Sequence, residues 1–99
     1  MNVTRAEQDG ILTFSLEGRL DTTTSPKLHE ELIPAIDGTH DVVLDFSRLE
    51  YVSSAGLRVL LAAQKQSAAR GTSLTLTGVN DEIMEIFEMT GFIDILTIE

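Results

Sequence analysis

A chain of 99 residues, 42% of them hydrophobic and 23% charged, has room for one folded core and not for two. Seven Lys and Arg against 16 Asp and Glu leave a net charge of −9, which disfavours nucleic acid as a partner, because phosphate binding needs clustered cations. The absence of cysteine excludes a disulfide framework, a thiolate metal site and a cysteine nucleophile.

In chain order, residues 3–8 and 11–17 predict two short strands around Asp9-Gly10, a strong hairpin signal. Leu12, Phe14 and Leu16 alternate with polar residues in the second strand. Gly18-Arg19-Leu20-Asp21 is expected to be a loop. Ser25-Pro26 then reads as the N-cap and first-turn proline of a helix whose apolar face is Leu28, Leu32, Ala35 and Ile36. Pro34 predicts a kink or an early end, since it lacks an amide donor.

Residues 41–46 form a nearly continuous apolar run, which predicts a strand covered on more than one side. A break is expected at Ser47-Arg48-Leu49-Glu50, before apolar character returns at Tyr51-Val52. Ser53-Ser54 precedes a helical pattern of Leu57, Leu60, Leu61 and Ala68 that stops at Arg70-Gly71. Residues 73–77 alternate as a strand, and Asn80 or Asp81 can cap a third helix with Ile83, Ile86 and Phe87 inward and Gly91 at its end. Met84 and Met89 flank a helix that either docks a partner or, the preferred reading, fills the core with them. Residues 93–98 predict a last strand.

The order ββαβαβαβ implies one α/β domain over residues 1–99, with an opening hairpin, about three helices and a mixed, mostly parallel sheet. The longest uncharged run is too short to span a bilayer, and Met1-Asn2-Val3-Thr4-Arg5 does not begin a signal peptide. Membrane insertion is therefore not expected, and a cytoplasmic location is.

The chemistry concentrates where the third strand meets the second helix. Hydroxyls at Ser53 and Ser54 can cap free amides, or one can accept a phosphoryl group, because a helix N-terminus favours negative charge. Gly56 would permit close approach, and Arg58 lies one turn beyond Ser54. Asp21 either contacts a partner or caps the approach to the first helix, and Asp45 reads as a strand-end carboxylate or as an orienter of the serine loop. His29 and His40 lack further ligands at metal spacing, so neither a metal nor a cofactor is expected. No catalytic triad or Gly-rich phosphate loop is visible, which points to a non-enzymatic module. From Gly71 onward there is no Lys or Arg, and six acidic residues give −6. Such a segment reads first as a solubilising acidic face and alternatively as a surface that steers toward a basic protein partner.

Residues 43–57, Val-Leu-Asp-Phe-Ser-Arg-Leu-Glu-Tyr-Val-Ser-Ser-Ala-Gly-Leu, resemble the signature of STAS domains, specifically of bacterial anti-sigma factor antagonists. Gly18-Arg19-Leu20-Asp21 is similar to a second family marker, and Ile86-Phe87-Glu88-Met89-Thr90-Gly91-Phe92 to its closing helix. The resemblance implies a partner that is both anti-sigma factor and GHKL-type serine kinase. It also implies a phosphatase that reverses the modification. The implied acceptor, two residues before the Gly of Gly-Leu, is Ser54. Many members have Asp immediately before it; here Ser53 stands there and is the alternative acceptor. Implied partner-binding residues are Asp21, Ser53, Ser54, Ala55, Gly56, Leu57 and Arg58. The alternative reading is a STAS adaptor or scaffold subunit of a larger complex that is never phosphorylated.

Overall fold

The computed structural model describes residues 1–99. Strands β1 (Asn2–Gln8) and β2 (Ile11–Leu20) pair antiparallel, with Gln8 opposite Ile11. Asp9 and Gly10 both have positive φ, 54° and 78°, which is the turn geometry that matches the right-handed twist of a two-residue hairpin. Helix α1 (Ser25–Ala35) leads to β3 (Asp41–Val52), α2 (Ser54–Arg70) to β4 (Leu74–Thr77), and α3 (Asp81–Thr90) to a two-residue β5 (Thr97–Ile98). The sheet order is β1-β2-β3-β4-β5, and every pair after the hairpin is parallel.

Successive crossovers to the neighbouring strand place the helices on one face of the sheet. Burial follows that arrangement. Leu12, Phe14, Leu16, Val42, Leu44, Phe46, Leu74 and Leu76 point into a single core with Leu28, Leu32, Leu60, Ala63, Ile83 and Phe87 from the helices. The opposite face carries Thr13, Ser15, Val43, Asp45, Thr75 and Thr77, all half-buried. Val43 therefore corrects the expectation of a strand covered on both sides: the sheet has two layers, and only alternate residues of β3 are enclosed. On β1 the inward position opposite Phe14 is Arg5, whose guanidinium lies 5.0 Å from the ring centroid and lids the edge of the core.

Two expected loops belong to strands. β2 continues to Leu20, and β3 runs unbroken through Ser47, Arg48, Leu49 and Glu50. The register shows why. Between Ser15 and Glu17 of β2, and again between Gly18 and Arg19, β3 carries one extra residue. These bulges turn the spacing of buried residues from two to three, at Phe46, Leu49 and Val52, so the pleat persists while the alternation is lost.

Other boundaries differ in detail. Ser25 is the first residue of α1, fully buried, and not its cap. α1 ends at Ala35, one residue past Pro34, and the His40 Nε2 lies 3.1 Å from the freed Ala35 carbonyl. In α2 the buried stripe is Leu57, Leu60, Ala63 and Ser67, whereas Ala68 is exposed. The predicted strand at 93–98 is instead a 3-10 turn at Phe92–Asp94 followed by β5, because the amides of Asp94 and Ile95 bond back to Gly91 and Phe92.

Candidate functional site

Leu20 and Val52 are register partners on adjacent parallel strands, so the chain leaves the sheet at Asp21 and Ser53 side by side. The Ser53 amide donates to the Leu20 carbonyl at 2.8 Å, tying the two exits together. This is the carboxyl end of the strands, where open α/β sheets present their binding residues.

Ser53 is the N-cap of α2. Its backbone is extended (φ −88°, ψ 175°), its hydroxyl accepts from the Gly56 amide at 3.3 Å, and its carbonyl accepts from Leu57 at 2.9 Å. The structure thus divides the two serines. Ser53 spends its oxygen on the helix, while Ser54 is the exposed first residue of α2 and takes no part in the cap. Arg58, exposed and one turn on, is engaged in no salt bridge; the chain's salt bridge is Arg48 with Glu17, at 3.5 Å.

Gly56 has a more specific role than access. A Cβ there would stand 2.8 Å from Leu20 Cγ and 3.0 Å from Val52 Cγ1. Its bare Cα lets the first turn of α2 settle directly on the ends of β2 and β3. Gly56 and Leu57 are both buried, so the exposed or half-buried surface of the predicted cluster comes from Asp21, Ser53, Ser54, Ala55 and Arg58.

Asp21 organises the neighbouring turn. Its Oδ1 accepts from the amides of Thr23 and Thr24, each at 3.0 Å, and its own amide donates to Thr24 Oγ1 at 2.9 Å. The Ser25 amide reaches the Asp21 carbonyl at 2.9 Å. Asp21 thus caps the turn that leads into α1, whose own N-cap is Thr24 in place of the expected Ser25 and makes no side-chain capping bond. The Thr24 amide bonded to the carboxylate, more than any other group, holds the Asp21 pKa below its ordinary value of 3.8. An ionised carboxylate therefore stands beside the serine turn.

Sequence reading missed a flanking pair. Arg19 and Tyr51 are register partners, with the guanidinium 4.4 Å from the ring centroid, and they border the site on the open face of the sheet. The signal was parity, since each precedes a buried residue, Leu20 and Val52. Asp45 lies away from the serines, mid-strand, and accepts the Ser47 amide at 2.9 Å beside the first bulge. His29 is exposed on α1 and His40 stands in the loop after it.

The fold and the site together define a two-layer α/β domain that presents an exposed hydroxyl at a helix N-terminus, at the carboxyl end of its strands. The chain belongs to the STAS domain family, whose model matches residues 2–99. BtrV of Bordetella bronchiseptica, which bears the name of an anti-sigma factor antagonist, is 37% identical over 99 residues, spanning 99% of this chain and 85% of that protein. The anti-sigma-B factor antagonist of Staphylococcus aureus is 32% identical over 97 residues, spanning 97% of this chain and 90% of its own. The fold matches that of the anti-sigma factor antagonist SpoIIAA, solved in an unphosphorylated form (TM-score 0.77, 16% identity, 99% of this chain and 87% of that one). It matches the phosphorylated form of the Bacillus protein equally well (TM-score 0.77, 17% identity, 99% and 91%). No helix of the chain is long and apolar enough to cross a membrane.

Proposed function

We propose that this chain is an anti-sigma factor antagonist, a non-enzymatic cytoplasmic switch controlled by phosphorylation of Ser54. Its partner in this reading is an anti-sigma factor that is also a GHKL-type serine kinase, and a serine phosphatase restores the binding form. The observation that carries the reading is the division of labour at the head of α2: Ser53 caps the helix and Ser54 is left exposed.

The Ser54 oxygen attacks the γ-phosphorus of ATP held by the kinase, the bond to ADP breaks, and the hydroxyl proton passes to a base on the kinase. The product carries about −1.5 to −2 charges at the centre of the contact surface. The helix N-terminus supports that charge within the antagonist, so the fold survives. Across the interface the phosphate has to be desolvated, and it repels acidic groups opposite. A coupling of roughly 2.7 kcal/mol would weaken the complex a hundredfold.

Intact mass of the protein from its native cells, with peptide mapping, tests the switch. A gain of about 80 Da, the mass of one added phosphoryl group, is expected on the peptide containing Ser53 and Ser54. An unmodified protein under every growth condition would favour the adaptor role.

A further inference from the structure

The two ends of α3 face different parts of the molecule. Asn80, its N-cap, donates to the Leu49 carbonyl at 3.0 Å and so holds the start of the helix at the serine end of the sheet. Ten residues later the helix has returned to the other end, where Gly91 terminates it. There three of the chain's five exposed large hydrophobic residues fall within seven consecutive positions: Met89 at 85% exposure, Ile93 at 37% and Ile95 at 43%. Met89, expected to fill the core, points out of it.

These side chains stand on fixed backbone. Ile95 and Leu96 amides both donate to the Phe92 carbonyl, at 3.0 and 2.9 Å, and Phe87 and Leu96 anchor the segment in the core. Nothing in the helix or the turn requires an apolar residue at Met89, and three exposed apolar side chains this close along one short segment of a small domain point to a contact site. The charged residues of the segment that carries them are all acidic. Glu85 lies one turn before Met89, Glu88 beside it and Asp94 between the two isoleucines, and no Lys or Arg occurs from Gly71 to Glu99. A second copy would bring an identical acidic rim against this one, and an anionic lipid surface would repel it.

We propose that the Met89–Ile93–Ile95 end is a docking surface for a protein segment that presents apolar side chains flanked by Lys or Arg. It extends beyond the serine switch, since it lies at the opposite end of the strands from Ser54, and a ligand there would leave the phosphoacceptor accessible.

The test is an NMR titration of the full chain with a synthetic helical peptide of Leu and Lys, compared with the same peptide carrying Glu for Lys. Shift changes should centre on Met89, Ile93 and Ile95, and binding should weaken at least tenfold between low and high salt. M89S/I93S should weaken it at least tenfold. E85K/E88K, at exposed positions where folding is not at stake, should do the same through charge alone. Ile11→Thr, at an exposed apolar position three strands away, should leave it unchanged. The proposal is overturned by no binding, by equal affinity for the Glu peptide, or by shifts centred on residues 53–58. It is also overturned if Met89→Ser abolishes a concentration-dependent dimer or the binding of anionic vesicles, which would assign the patch to a second copy or to lipid.

Discussion

Ser53 and Ser54 are adjacent and chemically identical, yet the helix start binds the oxygen of the first to the Gly56 amide and leaves the second exposed. Ser53→Ala removes the oxygen that accepts the Gly56 amide and should cost about 0.5–2 kcal/mol of stability, while Ser54 remains a substrate for the kinase. Ser54→Ala should abolish phosphorylation and keep partner binding. Ser54→Asp should weaken partner binding with no large fall in melting temperature, because an acidic side chain is tolerated in a first helical turn. Paired melting curves and kinase assays separate these outcomes; phosphorylation of Ser54→Ala but not of Ser53→Ala would move the acceptor to Ser53. Asp21 makes a further residue-level prediction through pH. Its folded pKa is depressed, so its turn contributes fully above the ordinary value of 3.8 and loses that contribution as pH falls through the lower folded value. The stability gap between wild type and Asp21→Ala should therefore be constant near neutrality and shrink in acid; urea titrations at neutral and strongly acidic pH would show it, and a gap that widens in acid would contradict it.

At the scale of elements, Gly56 decides whether α2 can seat on β2 and β3. Ala is the better helix former by about 1 kcal/mol, but its Cβ would meet Leu20 and Val52, two side chains already enclosed in the core. Overpacking of this kind costs roughly 1–3 kcal/mol, so Gly56→Ala should be net destabilising and displace Ser53 and Ser54 with the helix. Chemical denaturation measures the first effect, and amide shifts of the serine turn the second. Asn80 plays the matching part for α3, with one side-chain atom accepting from Ile83 at 2.8 Å and the other donating to β3.

These elements also show what the sequence could reveal. Asp9-Gly10, the alternation of β2 up to Leu16, Gly71 and Gly91 were legible because each acts over a few neighbouring residues. The second half of β3 was not, since its bulges depend on pairing with β2, more than 20 residues distant in sequence. The serine turn was located correctly from strand-to-helix spacing, but the inward role of Gly56 needed Leu20, and the Arg19–Tyr51 stack needed the register. Met89 read as core because helical periodicity alone cannot tell which apolar residues lie beyond the edge of the sheet.

Across the whole molecule, a net charge of −9 on 99 residues meets a single exposed salt bridge. Mutual repulsion among surface carboxylates therefore opposes the compact state, and little favourable pairing offsets it. Added salt should relieve that repulsion, since the Debye length shortens from about 30 Å at 0.01 M to about 8 Å at 0.15 M. The melting temperature should accordingly rise over this range by a few degrees, a change of order 1 kcal/mol corresponding to roughly 4–8 °C in a domain of this size. Most of the gain should come from the cation-free segment after Gly71, so E85K/E88K should melt higher than wild type at low salt and show a smaller salt response. Calorimetry on both proteins at the two ionic strengths decides the matter. A melting temperature that falls with salt would mean that attractive pairs dominate the surface, and equal salt responses would place the repulsion outside α3.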